Sequence, residues 1–177
     1  MRRPEGERSL LAWRGSAIRQ MTKSRAATVE LLDGLPQREL LRPRTQGQWS
    51  IKDVLAHIVA WEAEAVRRLD LIARGRGDRL VFYDDMREVD RFNARAVRAS
   101  RRLSVTALLQ RMDGIRERLV DRLRQLPPVS LQDPTHRYPV TAWLSEFAWT
   151  HERQHLARIR AWWKAQTSSV ERTGPPV

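Results

Sequence analysis

The sequence predicts an all-α protein built as a four-helix bundle. Three observations predict it. Four long segments space their apolar residues by threes and fours, stop signals separate those segments, and no alternating apolar–polar run is long enough to make a strand. The 177 residues suit one domain, and a 41% hydrophobic content can fill a core. Amphipathic helices without strands bury their stripes only against one another.

Residues 1–15 are polar and interrupted by Pro4, Gly6 and Gly15, so they read as a loose arm with a short turn at residues 10–13. Over residues 16–33, Ile18, Met21, Arg25, Thr28, Val29 and Leu32 keep helical spacing. Gly34 then stops the helix, with Pro36 just beyond. Residues 35–49 form a long connection holding Pro36, Pro43 and Gly47. Ser50 opens the second helix, residues 50–74, and Asp53 sits where a capping box puts its acid. Val54, Ile58, Trp61, Ala65, Leu69 and Ile72 sustain its stripe until Gly75 and Gly77.

The third helical region, residues 85–126, is expected to be interrupted near 101–104. Val89, Phe92, Ala96 and Ala99 precede the break. Ser104 caps a second stripe of Leu108, Met112, Ile115, Leu119, Leu123 and Leu126. Pro127 and Pro128 end it. A linker with Pro134 and Pro139 leads to the last helix, residues 140–165. Residues 167–177, rich in Ser, Thr, Pro and Gly, read as a flexible tail, leaving residues 16–166 as the bundle. Two connections exceed the usual ~2–8 residues between adjacent helices, so at least one is a crossover.

The chain has no cysteine, which excludes disulfides, thiolate metal sites and cysteine nucleophiles and suits a cytoplasmic location. No apolar run approaches a membrane span, and no apolar stretch of signal-peptide length follows the basic start. The net charge is +12, almost all from arginine, which raises nucleic acid as a partner. Acids accompany the arginines in every quarter of the chain; residues 81–126 carry 11 basic and 7 acidic side chains. That interleaving predicts solvated helix faces, with nucleic acid not the principal partner.

There are four histidines, and three fall inside helices. The last helix has an inward stripe of Leu144, Ala148, His151, His155, Ile159 and Trp162. Side chains at i and i+4 converge, so one metal could satisfy both imidazoles, and His57 can lean in from the second helix. Core histidines held by carboxylates or water are the plain alternative. Residues 151–155 also spell the zinc-protease pattern HExxH. A protease needs Glu152 aimed at the site and a sheet edge for its substrate, and this chain offers no strand. His136, between Pro134 and Pro139, reads as a solvated loop residue.

The runs Trp49-Ser50-Ile51-Lys52-Asp53-Val54-Leu55-Ala56-His57-Ile58 and Trp149-Thr150-His151-Glu152-Arg153-Gln154-His155-Leu156 resemble signatures of the DinB-like four-helix-bundle proteins. The stretch Asp90-Arg91-Phe92-Asn93-Ala94-Arg95 is similar to the start of that family's third helix. The resemblance implies an up-down-down-up bundle, often a homodimer, with a divalent metal on His57, His151 and His155. Its relatives include thiol-dependent transferases and isomerases, proteins described as metal-dependent hydrolases, and a metal-free detoxifying branch.

The expected function is therefore a bacterial, cytoplasmic metal-dependent enzyme. It would activate water or a low-molecular-weight thiol against an electrophilic small molecule, as a hydrolase or a transferase. Zinc, nickel, iron and manganese all suit imidazole ligands. Glu152 and Glu62 are the candidate bases, although a supporting or surface role suits each better. Trp49, Tyr83, Asn93 and Trp143 are candidates for the pocket mouth, although aromatic packing under the long loops suits all but Asn93 better. A non-catalytic metal-binding or stress-response bundle is the alternative, followed by a nucleic-acid binder.

Overall fold

The computed structural model describes residues 5–133 and 136–172. Its helices are α1 (Glu5–Asp33), α2 (Ile51–Ala73), α3 (Met86–Ser100), α4 (Val105–Gln125), α5 (Val140–Phe147) and α6 (Trp149–Arg172). Short 3-10 turns occupy Gln37–Leu41, Gly77–Arg79 and Pro128–Gln132. Among the described residues there is no strand, only an isolated bridge between Gln46 and Trp49. No helix among them is long and apolar enough to cross a membrane.

The predicted caps set the helix starts. Ser50 Oγ accepts from Asp53 N at 3.2 Å while Asp53 Oδ2 accepts from Ser50 N at 3.0 Å. Ser104 Oγ accepts from Ala107 N at 3.1 Å, and the chain breaks between α3 and α4 where expected.

The ends differ from expectation. Residues 5–15 are helical and not a loose arm. Leu10 and Trp13 extend the stripe of α1 onto the core, and Arg14 donates to the carbonyls of Arg124 and Leu126 at 3.0 and 2.8 Å. These tertiary contacts outweigh the ~1 kcal/mol that glycine costs a helix interior. The expected tail is helical as far as Arg172, and residues 173–177 lie outside the described residues. The last helix is two helices, parted at Ala148, whose φ of −124° and ψ of −104° leave the α-region. Neither proline nor glycine marks that break.

Burial falls into two apolar clusters. One joins Ala17 and Met21 of α1 to Leu69 and Ile72 of α2, Leu119 and Leu123 of α4, and Trp143 and Leu144 of α5. The other joins Leu32 of α1 to Ile51 and Leu55 of α2, Leu108 and Met112 of α4, and Ile159 of α6. So α2 and α4 both begin at the end where α1 finishes. The return between them is α3, which lies along α2. Trp61, midway along α2, donates to Asn93 Oδ1 at 3.0 Å, and Lys52, at the start of α2, donates to the Arg101 carbonyl at 3.1 Å.

Between the clusters lies a polar layer drawn from all four long helices. Glu62 and Glu152 are fully buried. Arg25 Nε donates to Glu152 Oε1 at 2.9 Å and its Nη2 to Glu62 Oε1 at 3.0 Å. Arg116 Nη2 bridges Glu152 Oε2, at 2.8 Å, and Glu62 Oε1. Ser24 and Thr28 complete the coordination of Glu152 at 2.6 and 2.7 Å. Removing one partner of a buried ion pair strands the other charge, which costs about 3–5 kcal/mol. Arg116→Met should therefore lower unfolding stability by that amount, read as a reduced urea midpoint at neutral pH. A loss below about 1 kcal/mol would show that Arg25 alone balances the two carboxylates.

Candidate metal centre

His57, His151 and His155 come together at the flank of the bundle. Their ligand-capable nitrogens lie within 4.8 Å of one another. His151 Nε2 is 2.9 Å from His57 Nε2 and 3.0 Å from His155 Nε2. The rings stand edge to face, with centroids 4.6–4.9 Å apart. Two zinc–nitrogen bonds of ~2.0–2.1 Å at a tetrahedral angle would set the nitrogens ~3.3 Å apart, only a few tenths of an ångström beyond these separations.

The surroundings prepare the rings as ligands. Residues 45–49 form a tight turn through Gly47, whose φ of +60° falls in the left-handed region that glycine occupies without strain. Thr45 N and Gln46 N donate to the Trp49 carbonyl at 2.9 and 3.1 Å, and Trp49 N returns a bond to Gln46 O at 3.0 Å. The turn delivers Gln46 to the site, where its Oε1 accepts from His155 Nδ1 at 2.6 Å. That bond keeps the proton on Nδ1 and leaves the Nε2 lone pair facing the cluster. It also sets Trp49 over His57, with centroids 4.9 Å apart.

Burial depresses all three histidines from 6.5. His57 falls to about 4, with His155 as the second cause. His151 falls to about 3, helped by the other two rings. His155 falls to about 4, with Arg158 adding to the effect of burial. At neutral pH all three are neutral and can donate lone pairs. The three Nε2 atoms meet at hydrogen-bond distance around His151, and a cation at their meeting point would take the place of the protons they share there. The residues present fit a divalent metal.

The cluster opens into a hollow of about 420 Å³. Trp49, Trp61, Val89, Phe147 and Asn93 line it, with Glu146 and Arg158 as its charged groups. Trp49 and Asn93, two of the residues proposed from the sequence for a pocket mouth, are among these lining residues. Tyr83 lines an adjoining hollow with Phe82 and Tyr138, its ring 5.5 Å from Trp61. Trp143 is not at the mouth. It is buried in the core, with the Arg68 guanidinium 5.5 Å from its ring. His136, expected in solvent, packs over Gly77, where a Cβ would lie 1.9 Å from its Nε2.

The two candidate bases are also corrected. Glu62 and Glu152 do not line the hollow; they lie in the buried ionic layer, where arginines and hydroxyls occupy their oxygens. Burial alone would raise the Glu152 carboxyl, but Arg116 and Arg25 hold it below the usual carboxylate range. A carboxylate so stabilised is a poor proton acceptor, which removes the protease reading of HExxH. Sequence reasoning missed Gln46, Phe147 and Arg158. Arg158 sits three residues beyond His155, a one-turn signal, whereas Gln46 arrives only through the turn at Gly47.

A family model described as the DinB superfamily matches residues 20–159. Comparison with curated proteins finds no match. Two similar solved structures show the fold. One is the colibactin self-resistance protein ClbS in complex with a dsDNA, with a TM-score of 0.73, 12% identity, and coverage of 85% of this chain and 95% of that one. The other is an uncharacterised protein from Escherichia coli UTI89, with a TM-score of 0.71, 13% identity, and coverage of 87% and 94%. The ClbS complex overturns the expectation that nucleic acid is an unlikely partner. The charges are also less evenly mixed than counts by quarter imply. Between Asp90 and Asp113 stand six arginines and no acid.

The depressed histidines predict a pH dependence for the metal-free protein. Unfolding releases imidazoles that bind protons from about 6.5 downward, whereas the folded rings refuse them until about 3–4. Stability should fall with pH across that window, by about 1.4 kcal/mol per pH unit for each proton that only the unfolded chain binds. Glu152, depressed in the folded state, contributes stability that is lost only on further acidification. In chelator, the urea midpoint should drop between pH 7 and pH 5, and His151→Leu should flatten that drop. An unchanged slope in the variant would refute the assignment.

Proposed function

This chain belongs to the DinB superfamily, and on that premise we propose that it is a metal-dependent enzyme acting on an electrophilic small molecule. The observation that carries this reading is the convergence of three neutral histidine nitrogens at an open, aromatic-walled hollow. His57, His151 and His155 would hold one divalent ion, with Gln46 orienting His155. Bound there, zinc, nickel, iron or manganese would supply a Lewis acid that activates water or a thiol at neutral pH.

The chain's own residues shape the rest. Trp49, Trp61, Val89 and Phe147 offer apolar walls to a substrate's carbon skeleton. Asn93 is held through Oδ1 by Trp61 and keeps its amide donors for a polar group. Arg158 at the wall favours an anionic or thiolate cosubstrate. Glu146, the carboxylate that lines the hollow, replaces Glu62 and Glu152 as the group suited to accept a proton.

A second reading is association with duplex DNA. It is favoured by the likeness of this fold to ClbS, solved with a dsDNA, and by a net charge of +12.

Untagged protein should bind one equivalent of divalent metal per chain, measured by elemental analysis after dialysis. His155→Ala should bind at least tenfold more weakly, since losing one of three ligands leaves too few to hold the ion. Its helical circular dichroism should be unchanged, because Ile159 and Leu156 still anchor α6. Retention of stoichiometric metal by His155→Ala would overturn the three-histidine site. Full turnover of the metal-free protein would overturn the metal-dependent reading.

A further inference from the structure

We propose that the outward face of α3 and the turn that follows it hold duplex DNA through phosphate contacts from Arg87, Arg91, Arg95, Arg98 and Arg102. This rests on the second reading above and gives it a surface. Arg87, Arg91, Arg95 and Arg98 follow one another at steps of four, four and three, which aligns them on one side of the helix, and Arg102 stands in the turn just beyond its end. All five are exposed. The opposite side turns inward, with Val97 and Ser100 buried and Val89 and Asn93 lining the histidine hollow. From Arg87 to Arg98 the helical stripe spans ~16 Å at 1.5 Å per residue, about half of the ~34 Å of a full turn of duplex.

These cations are available. Arg91 lies 3.8 Å from Glu88, and among the described residues Arg87, Arg95, Arg98 and Arg102 have no ion pair. The nearby acids gather at the N-terminal end. Asp84 pairs with Arg137 at 3.1 Å, Asp85 caps the helix through Arg87 N at 2.9 Å, and Glu88 and Asp90 are the last acids before Asp113. The positive field is therefore strongest over the C-terminal half of α3, where the exposed Arg101 and the ammonium of Lys52 add to it.

The chemistry of the face favours phosphate over a lipid surface. Between the arginines it presents Glu88, Ala94 and Ala99, and the exposed Met86 at the first position of the helix is too little apolar surface to enter a bilayer. Every cation on α3 is a guanidinium, whose planar fork matches phosphate oxygens. The major groove is wide enough to admit an α-helix. A duplex seated there would be one helix diameter, ~10 Å, from the hollow.

The test is anisotropy of a labelled 20-base-pair duplex with the full chain from 50 to 200 mM KCl. Five phosphate contacts predict a log–log salt slope of about −4.5. Arg91→Gln/Arg95→Gln/Arg98→Gln should shrink that slope by about 2.7 and weaken binding at least tenfold at 150 mM. Arg95→Gln alone should remove about 0.9. Arg118→Gln, an exposed arginine on α4, should leave the slope unchanged. Circular dichroism of each variant checks that the helices persist. Salt-sensitive binding by the parent with an unaltered slope in the triple variant overturns the α3 assignment while leaving the DNA reading standing. No binding by the parent overturns both. Tighter binding to phosphatidylserine vesicles than to duplex overturns the assignment to DNA.

Discussion

The arrangement of the helices depends on the buried ionic layer of Arg25, Glu62, Arg116 and Glu152. Each of the four long helices contributes one of these charges. Isolated, any of them would cost several kcal/mol to bury. Together they satisfy one another, and the geometry that does so admits little rotation or sliding. A slip of one residue on any helix would swing a charge into one of the two apolar clusters.

That constraint positions the metal-binding candidates. With Glu152 pinned at the centre of the inward face of α6, its neighbour His151 and then His155 fall to one flank. With Glu62 pinned on α2, His57 and Trp61 fall to the facing flank. Adjacent residues in one motif thus separate into different chemistries. Glu152 stays ionised among guanidiniums, and the histidines stay neutral because burial opposes their charge. Neutral nitrogens with free lone pairs are what a divalent ion requires.

α3 connects this site to the outside. It returns the chain along α2 to the start of α4, so it lies outside the four-helix layer and has one face free. Its inner face closes the histidine hollow through Val89 and Asn93, and its outer face carries the arginines. One short crossover helix therefore serves as pocket wall and as charged surface.

The sequence by itself determined the helical class, the caps at Ser50 and Ser104, the break before α4 and the three histidines. Each of these is encoded within one or two turns. Hydrophobic spacing, capping side chains and i,i+4 pairs act between near neighbours, so they can be read without knowing the fold. Tertiary structure alone decided the extension of α1 to Glu5, the break at Ala148, the arrival of Gln46 at His155 and the burial of Trp143. It also took Glu62 and Glu152 out of the site. In those cases the deciding partner is distant in the chain: Arg14 on the end of α4, Arg25 and Arg116 on Glu152. The arginine stripe falls between the two. Its spacing is local, but its meaning depends on which face of α3 the bundle leaves exposed.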